Sequence, residues 1–202
     1  GHTVTGVDFD PAMLDRARAR AQGSPAADRL TLVEADIVGL ALPDAGAYGL
    51  AFIALNSLLV LATRAAQKAA MRALAEHLAP GGLAVVDVWL PDADDLARFD
   101  GRISFEWPRV DPATGAIVTK TASAQHDAAS ATVMLTTLFE EGLQGESPRR
   151  WVRSDRIRLV TADELRGYAE DAGLTIELLA GGYDLSLLGP GSDRAVLIAV
   201  RG

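Results

Sequence analysis

Short β-branched or apolar runs alternate along the chain with stretches whose apolar residues recur every three or four positions, the pattern of strands and helices following one another. Thr3, Val4, Thr5 and Val7 predict a strand ending at Asp8. Asp10 and Pro11 then supply an N-cap and a first-turn proline, so a helix should run to about Gln22, where Gly23 and Pro25 stop it. Leu30 to Asp36 reads as a second strand ending in an acid, which puts Asp8 and Asp36 at equivalent strand ends. Tyr48 to Leu55 is a continuous apolar run, which predicts a strand covered on both faces, with Asn56 and Ser57 following at the same sheet edge. A helix with N-cap Thr63 should reach about Ala79, its apolar face formed by Ala70, Met71, Leu74, Ala75 and Leu78. Pro80-Gly81-Gly82 then turns into another buried strand, Leu83 to Trp89. His77, in that helix's last turn, reads as a cation near the carbonyl end or a packed ring rather than as a catalyst.

The pattern changes between Arg102 and Val160. Ile103–Val110, Ala116–Gln125, Thr132–Glu140 and Trp151–Leu159 predict strands joined by Gly-, Asp-, Ser- and Pro-rich turns, an antiparallel meander at 102–160 inserted into a strand–helix fold. Helical periodicity then resumes with a capping box, Thr161 and Glu164, flanked by Val160 and Leu165 as a hydrophobic staple. That helix ends at Gly173, and Leu174–Leu179 and Ala195–Val200 are the last two strands. The expected organisation is one α/β domain over 1–202.

Composition narrows the function classes. With 19 basic against 27 acidic residues the net charge is −8, which argues against a nucleic-acid backbone or an anionic membrane as main partner. There is no cysteine and there are only three scattered histidines, so no metal site is expected. No apolar run approaches the ~18–20 residues of a membrane span, and no charged-then-apolar leader opens the chain, so a cytoplasmic location is the default expectation. The chain opens at Gly1 without a methionine and almost inside a strand, which reads as a chain whose beginning is missing.

Asp8 carries the first candidate chemistry. In open α/β sheets ligands bind at the carboxyl ends of the strands, and an acid there commonly accepts from a pair of ribose hydroxyls. Alone, Asp8 would more plainly cap a loop; the rest of the chain changes that balance. Gly6 to Leu14, then Glu34-Ala35-Asp36, then Tyr48 to Ser57, then Leu78-Ala79-Pro80-Gly81-Gly82, in that order and roughly that spacing, resemble a class I S-adenosylmethionine-dependent methyltransferase. The inserted meander, with Asp163-Glu164-Leu165 and Ala172-Gly173-Leu174 after it, is similar to members acting on small molecules, such as the sugar N-methyltransferases.

The resemblance implies a Rossmann-like sheet and methyl transfer from S-adenosylmethionine to a nitrogen or oxygen of a small-molecule acceptor. It implies that Asp8 holds the ribose hydroxyls, Phe9 and Met13 line the adenine side, Asp36 accepts from the adenine amino group and the Ile37 N–H donates to the ring. Asn56 would stand near the transferring methyl, or serve as a plain strand-end turn residue. Asp87 and Trp89, ending a central strand, are placed to face the acceptor, though Asp87 would equally satisfy backbone donors nearby. Arg156, with Arg149, Arg150, Arg153 and Arg158, could meet an anionic acceptor, though on an edge strand such charges more often block aggregation; His126 and Asp127 read as a hairpin turn, so no general base is assigned.

Such enzymes also carry a glycine-rich loop after their first strand, and no such loop is present here. The expected strand order is three, two, one, four, five, seven, six. With the first, central strand absent, the strands ending at Asp8 and near Leu55 should either flank a gap or pair directly. The meander should project from the carboxyl end of the sheet, either covering the acceptor side or pairing with a second subunit, and of these a homodimer is the expectation favoured. The alternatives are a nicotinamide-dependent oxidoreductase, whose dinucleotide fold also places an acid after the second strand, and a non-catalytic dimerising protein of the same fold.

Overall fold

A computed structural model describes residues 1–143, 145 and 147–202. Three sheets carry the architecture. Strand β1 (Val4–Asp8) pairs in parallel with β2 (Leu30–Glu34), from Val4 opposite Leu30 to Asp8 opposite Glu34. They are joined through helix α1 (Pro11–Ala21), whose cap forms as the sequence requires, Asp10 Oδ1 accepting from the Ala12 N–H at 2.8 Å.

The second sheet has the order β3 (Tyr48–Ile53), β4 (Leu78–Trp89), β10 (Arg194–Arg201), β9 (Leu174–Ala180). Strands β3 and β4 run parallel, whereas β10 is antiparallel to both its neighbours. Among the described residues β1–β2 and β3–β4–β10–β9 are separate sheets, so β1 and β3 each keep one unpaired edge. A single side-chain hydrogen bond is found between these strands, from the Tyr48 hydroxyl to Thr5 Oγ1 at 3.1 Å. Of the two expected outcomes, a gap or direct pairing, the structure takes the first. Read through both sheets, the order β2, β1, then β3, β4, β10, β9 is the expected class I order without its central strand.

The core lies between the second sheet and the helices on one of its faces. Ala84, Val86, Val88, Ala195, Leu197 and Ala199 are buried from the sheet side. Helix α3 (Arg64–His77) contributes Ala70, Met71 and Leu74, and α5 (Ala162–Asp171) contributes Leu165, Tyr168 and Ala169. Both expected caps are present: Thr63 accepts from Ala66, and Thr161 and Glu164 bond reciprocally at 3.1 and 3.3 Å. His77 proves to be the packed ring. Its Nε2 accepts from the Leu42 N–H at 2.9 Å, so its proton sits on Nδ1 and is donated to the Ala73 carbonyl at 2.6 Å.

Two expectations need correction. Strand β3 is covered on one face only: Ile53 is buried, but Leu50 and Phe52, which point the other way, are 53% and 62% exposed. The reason is that α3 packs on β3 and β4 and against α5, so these helices share a face, while α1 stays on the β1–β2 pair. Pro80-Gly81-Gly82 does not separate helix from strand; β4 already begins at Leu78, and the glycine turn, with Gly81 at φ +77°, is absorbed as a bulge where the β3 register jumps from Tyr48–Leu78 to Leu50–Leu83.

The meander is a third sheet, β5 (Asp100–Val110), β6 (Ile117–Asp127), β7 (Thr132–Gly142) and β8 (Arg149–Arg158), in simple antiparallel order. Of the expected turn between Gly142 and Pro148, residues 144 and 146 lie outside the described ones. Two short helices escaped the sequence reading: α2 (Ser57–Val60) and α4 (Ala93–Arg98), the latter opened by an Asp92–Asp95 capping box.

At its base the meander is fastened by Arg158. This guanidinium bonds Gln67 Oε1 at 3.0 Å, the Tyr168 hydroxyl at 3.1 Å and Glu164 Oε1 at 2.8 Å, joining β8 to α3 and α5. Burial alone would raise the Glu164 carboxyl, but the Arg158 and Thr161 hydrogen bonds and the charges of Arg158 and Arg64 overcome it and hold Glu164 below the usual carboxylate range.

Candidate functional site

The carboxyl ends of the parallel strands carry two groups of residues. The first belongs to β1 and β2. Asp8 ends β1, and its Oδ1 accepts from the Asp10 N–H at 2.9 Å, so it does cap the loop; its Oδ2 accepts nothing among the described residues. The backbone couples the two strand ends, the Ala35 N–H donating to the Asp8 carbonyl at 3.1 Å. Asp36 repeats the arrangement: Oδ1 accepts from the Val38 N–H at 2.8 Å, and Oδ2 has no donor among the described residues. Between these carboxylates the Ile37 N–H donates to no described acceptor. Phe9, Met13 and Val38 expose their apolar side chains around this end, with Phe9 71% accessible. Apolar surface beside open acceptors and a free donor suits a planar heterocycle joined to a diol.

The second group belongs to β3 and β4, where strained backbone is the leading sign. Leu55 and Asn56 both lie in the left-handed region, at φ 56° and 65°. Asparagine visits that region readily; leucine does so at a cost of about 1–2 kcal/mol, and such residues cluster at functional sites. Two side chains hold the turn. Asp87 Oδ1 accepts from the Leu55 N–H at 2.7 Å, and Asn56 Oδ1 accepts from the Trp89 N–H at 2.7 Å, tying the end of β3 to the end of β4.

Asp87 does not offer a free oxygen to an acceptor. Its Oδ2 accepts from the Tyr183 hydroxyl at 3.0 Å and from Arg194 Nη1 at 2.5 Å, and the residue is only 3% exposed. Trp89 is half-buried, its ring tilted against Phe99 at 5.9 Å between centroids. Arg156 stands on β8, exposed, and is not gathered into either group; the buried arginine of that strand is Arg158.

Tyr183 and Arg194 are the site residues that the sequence reading missed. Although most of the residue is exposed, desolvation at its hydroxyl first, then the hydrogen bond to Asp87 and its charge, raises the Tyr183 phenol above its ordinary value. The one local sign was an aromatic residue following Gly181-Gly182 between two strands.

Comparison with known proteins bears on the domain and the fold. Residues 1–82 match a family described as a methyltransferase domain. No curated protein matches the sequence. Among solved structures, an S-adenosylmethionine-dependent methyltransferase from Clostridium acetobutylicum superposes with a TM-score of 0.81 at 16% identity, over 99% of this chain and 75% of that one. The CcbJ methyltransferase from Streptomyces caelestis gives 0.77 at 23%, over 99% and 80%. The sugar N-methyltransferase KedS8 from Streptoalloteichus sp. ATCC 53650 gives 0.75 at 21%, over 98% and 70%. Residues 1–82 thus match the methyltransferase-domain family, and nearly the whole chain shares the fold of solved S-adenosylmethionine-dependent methyltransferases.

Proposed function

We propose that the chain uses S-adenosylmethionine to methylate a nitrogen of a small molecule, with the nucleoside held at the ends of β1 and β2. The observation that carries this reading is the pair of half-used carboxylates, Asp8 and Asp36, flanking the free Ile37 N–H. Asp8 Oδ2 would accept from a ribose hydroxyl, Asp36 Oδ2 from the adenine amino group, and the Ile37 N–H would donate to a ring nitrogen; Phe9 and Met13 supply the apolar contact with the base. These residues fit the nucleoside half of the cofactor; the chain has no glycine-rich loop for the amino-acid half.

When bound, S-adenosylmethionine supplies an electrophilic methyl group on a sulfonium. What the protein adds is position, since displacement in line needs nucleophile and methyl at near-attack distance. Asn56, fixed to Trp89, stands on the β3–β4 side where such positioning is required. Nitrogen is favoured over oxygen by KedS8, whose name records sugar N-methylation and whose fold includes this chain's span. An unprotonated amine also needs no base during attack, in keeping with the lack of an assigned one.

The meander supports a second copy of the chain as partner. Phe105 and Val152 lie in one cross-strand row with Thr121 and Leu138, and Ile103 is on the same face; Ile103, Phe105 and Val152 are 77%, 63% and 64% exposed. Sedimentation of the full-length protein should show a dimer, and a monomer at high concentration would count against this pairing.

The test of the function is turnover. The full-length protein, given S-adenosylmethionine and a panel of amino sugars and simple primary amines, should yield S-adenosylhomocysteine and a product heavier by one methylene. Hydroxyl-only analogues accepted equally well would move the assignment to oxygen.

A further inference from the structure

Asp87 is a buried carboxylate whose partners end in exposed side chains. A buried charge is retained only when it is paired and hydrogen-bonded, and here the donors are the Leu55 N–H, the Tyr183 hydroxyl and Arg194. Yet Leu55 is 79% exposed and Tyr183 61%, so their side chains contribute little to any core. One is held by its backbone N–H and the other by its phenol tip, so a single carboxylate anchors both. Arg194 holds the assembly from a further side, its guanidinium 4.7 Å from the Tyr183 ring centroid. Holding a leucine at φ 56° in order to leave its side chain in water has no packing rationale in this structure.

We infer that Asp87 is a positioning residue that holds Leu55 and Tyr183 as paired walls of the acceptor entrance, at the carboxyl end of β4. This rests on the methyl-transfer reading above and adds a substrate class to it. The acceptor presents an apolar or ring face beside its nucleophilic nitrogen, one side lying on the aliphatic Leu55 and the other on the Tyr183 ring. Asp87 works through the two walls and does not itself touch the acceptor.

Asp87→Ala, Asp87→Asn and Tyr183→Phe in the full-length protein test this by hydrogen exchange, and Leu55→Ala and Tyr183→Phe test it by kinetics. Asp87→Ala should speed exchange in segments 54–58 and 181–186 together, by about tenfold for each lost hydrogen bond, while α3 and β10 stay unchanged. In Asp87→Asn a single amide oxygen cannot serve both sides, so one segment should loosen and the other stay protected. Tyr183→Phe should loosen only 181–186. Acceleration everywhere in Asp87→Ala, or in neither segment, overturns the inference.

Calorimetry with S-adenosylhomocysteine and turnover of the best acceptor from the amine panel supply the functional arm. Leu55→Ala and Tyr183→Phe should raise the acceptor KM by about tenfold, with kcat and S-adenosylhomocysteine affinity within about twofold of the native values. Equal losses in cofactor affinity and acceptor KM would refute the acceptor-side placement. Failure of the native protein to bind S-adenosylhomocysteine would instead sink the methyl-transfer reading, with the exchange pattern still deciding whether Asp87 organises the rim.

Discussion

Arg158→Ala is the most informative single change for the fold, because one side chain fastens the meander to the helices. Its guanidinium satisfies Gln67 Oε1, the Tyr168 hydroxyl, the Leu159 carbonyl and both Glu164 oxygens, and the residue is 7% exposed. Removing one partner of a buried ion pair typically costs about 3–5 kcal/mol, since the other charge is left without compensation. Glu164 would keep its ion pair with Arg64 and remain partly in water, which lowers the expected loss to about 2–4 kcal/mol. Against a typical total of ~5–15 kcal/mol that is a large fraction. Urea unfolding of the full-length protein should show it as a lower midpoint at unchanged slope.

The same network predicts a pH dependence. Because the folded Glu164 carboxyl titrates below its ordinary value, its contribution is fully present above that ordinary value and is lost as the pH falls through the folded one. Native stability should therefore fall below about pH 4.3 more steeply than that of Glu164→Gln. An Arg158→Ala loss under about 1 kcal/mol, the range of an exposed pair, would refute the reasoning, as would parallel acid limbs for the native and Glu164→Gln proteins.

Three further outcomes are expected. Asp8→Ala should weaken S-adenosylhomocysteine binding by roughly 1.5–3 kcal/mol for each hydroxyl bond lost, about 10- to 150-fold in Kd; an unchanged titration removes Asp8 from the site. His77→Phe leaves the Leu42 N–H and the Ala73 carbonyl without their ring partner, and should cost about 1–3 kcal/mol in denaturant unfolding; a neutral result would show that water replaces the ring. In the 202-residue chain, a two-stranded sheet should protect Thr3–Val7 from hydrogen exchange far less than the central strand protects Val85–Val88, and equal protection would contradict the separate-sheet description.

Local signals were legible in the sequence. The Asp10, Thr63 and Thr161 caps, the strand end at Asp8 and the meander all depend on residues within a few positions of one another, and all are found. The open face of β3 was not legible, because an apolar run records that a strand is apolar and not whether a helix lies on each side; Leu50 and Phe52 are exposed for want of the second layer. The Asp87 centre was hidden by distance, its partners Tyr183 and Arg194 being 96 and 107 residues away. The Asp92–Asp95 box of α4 stood in the sequence, but a helix of six residues has too little periodicity to announce itself.

The central claim is that the ends of β1 and β2 hold the nucleoside of S-adenosylmethionine, and parallel calorimetric titrations of the full-length protein test it most directly. The account predicts saturable binding of S-adenosylhomocysteine that weakens in Asp8→Ala and, to a lesser degree, in Asp36→Ala, with no comparable binding of a nicotinamide dinucleotide. Tight dinucleotide binding without S-adenosylhomocysteine binding would contradict it and restore the oxidoreductase alternative.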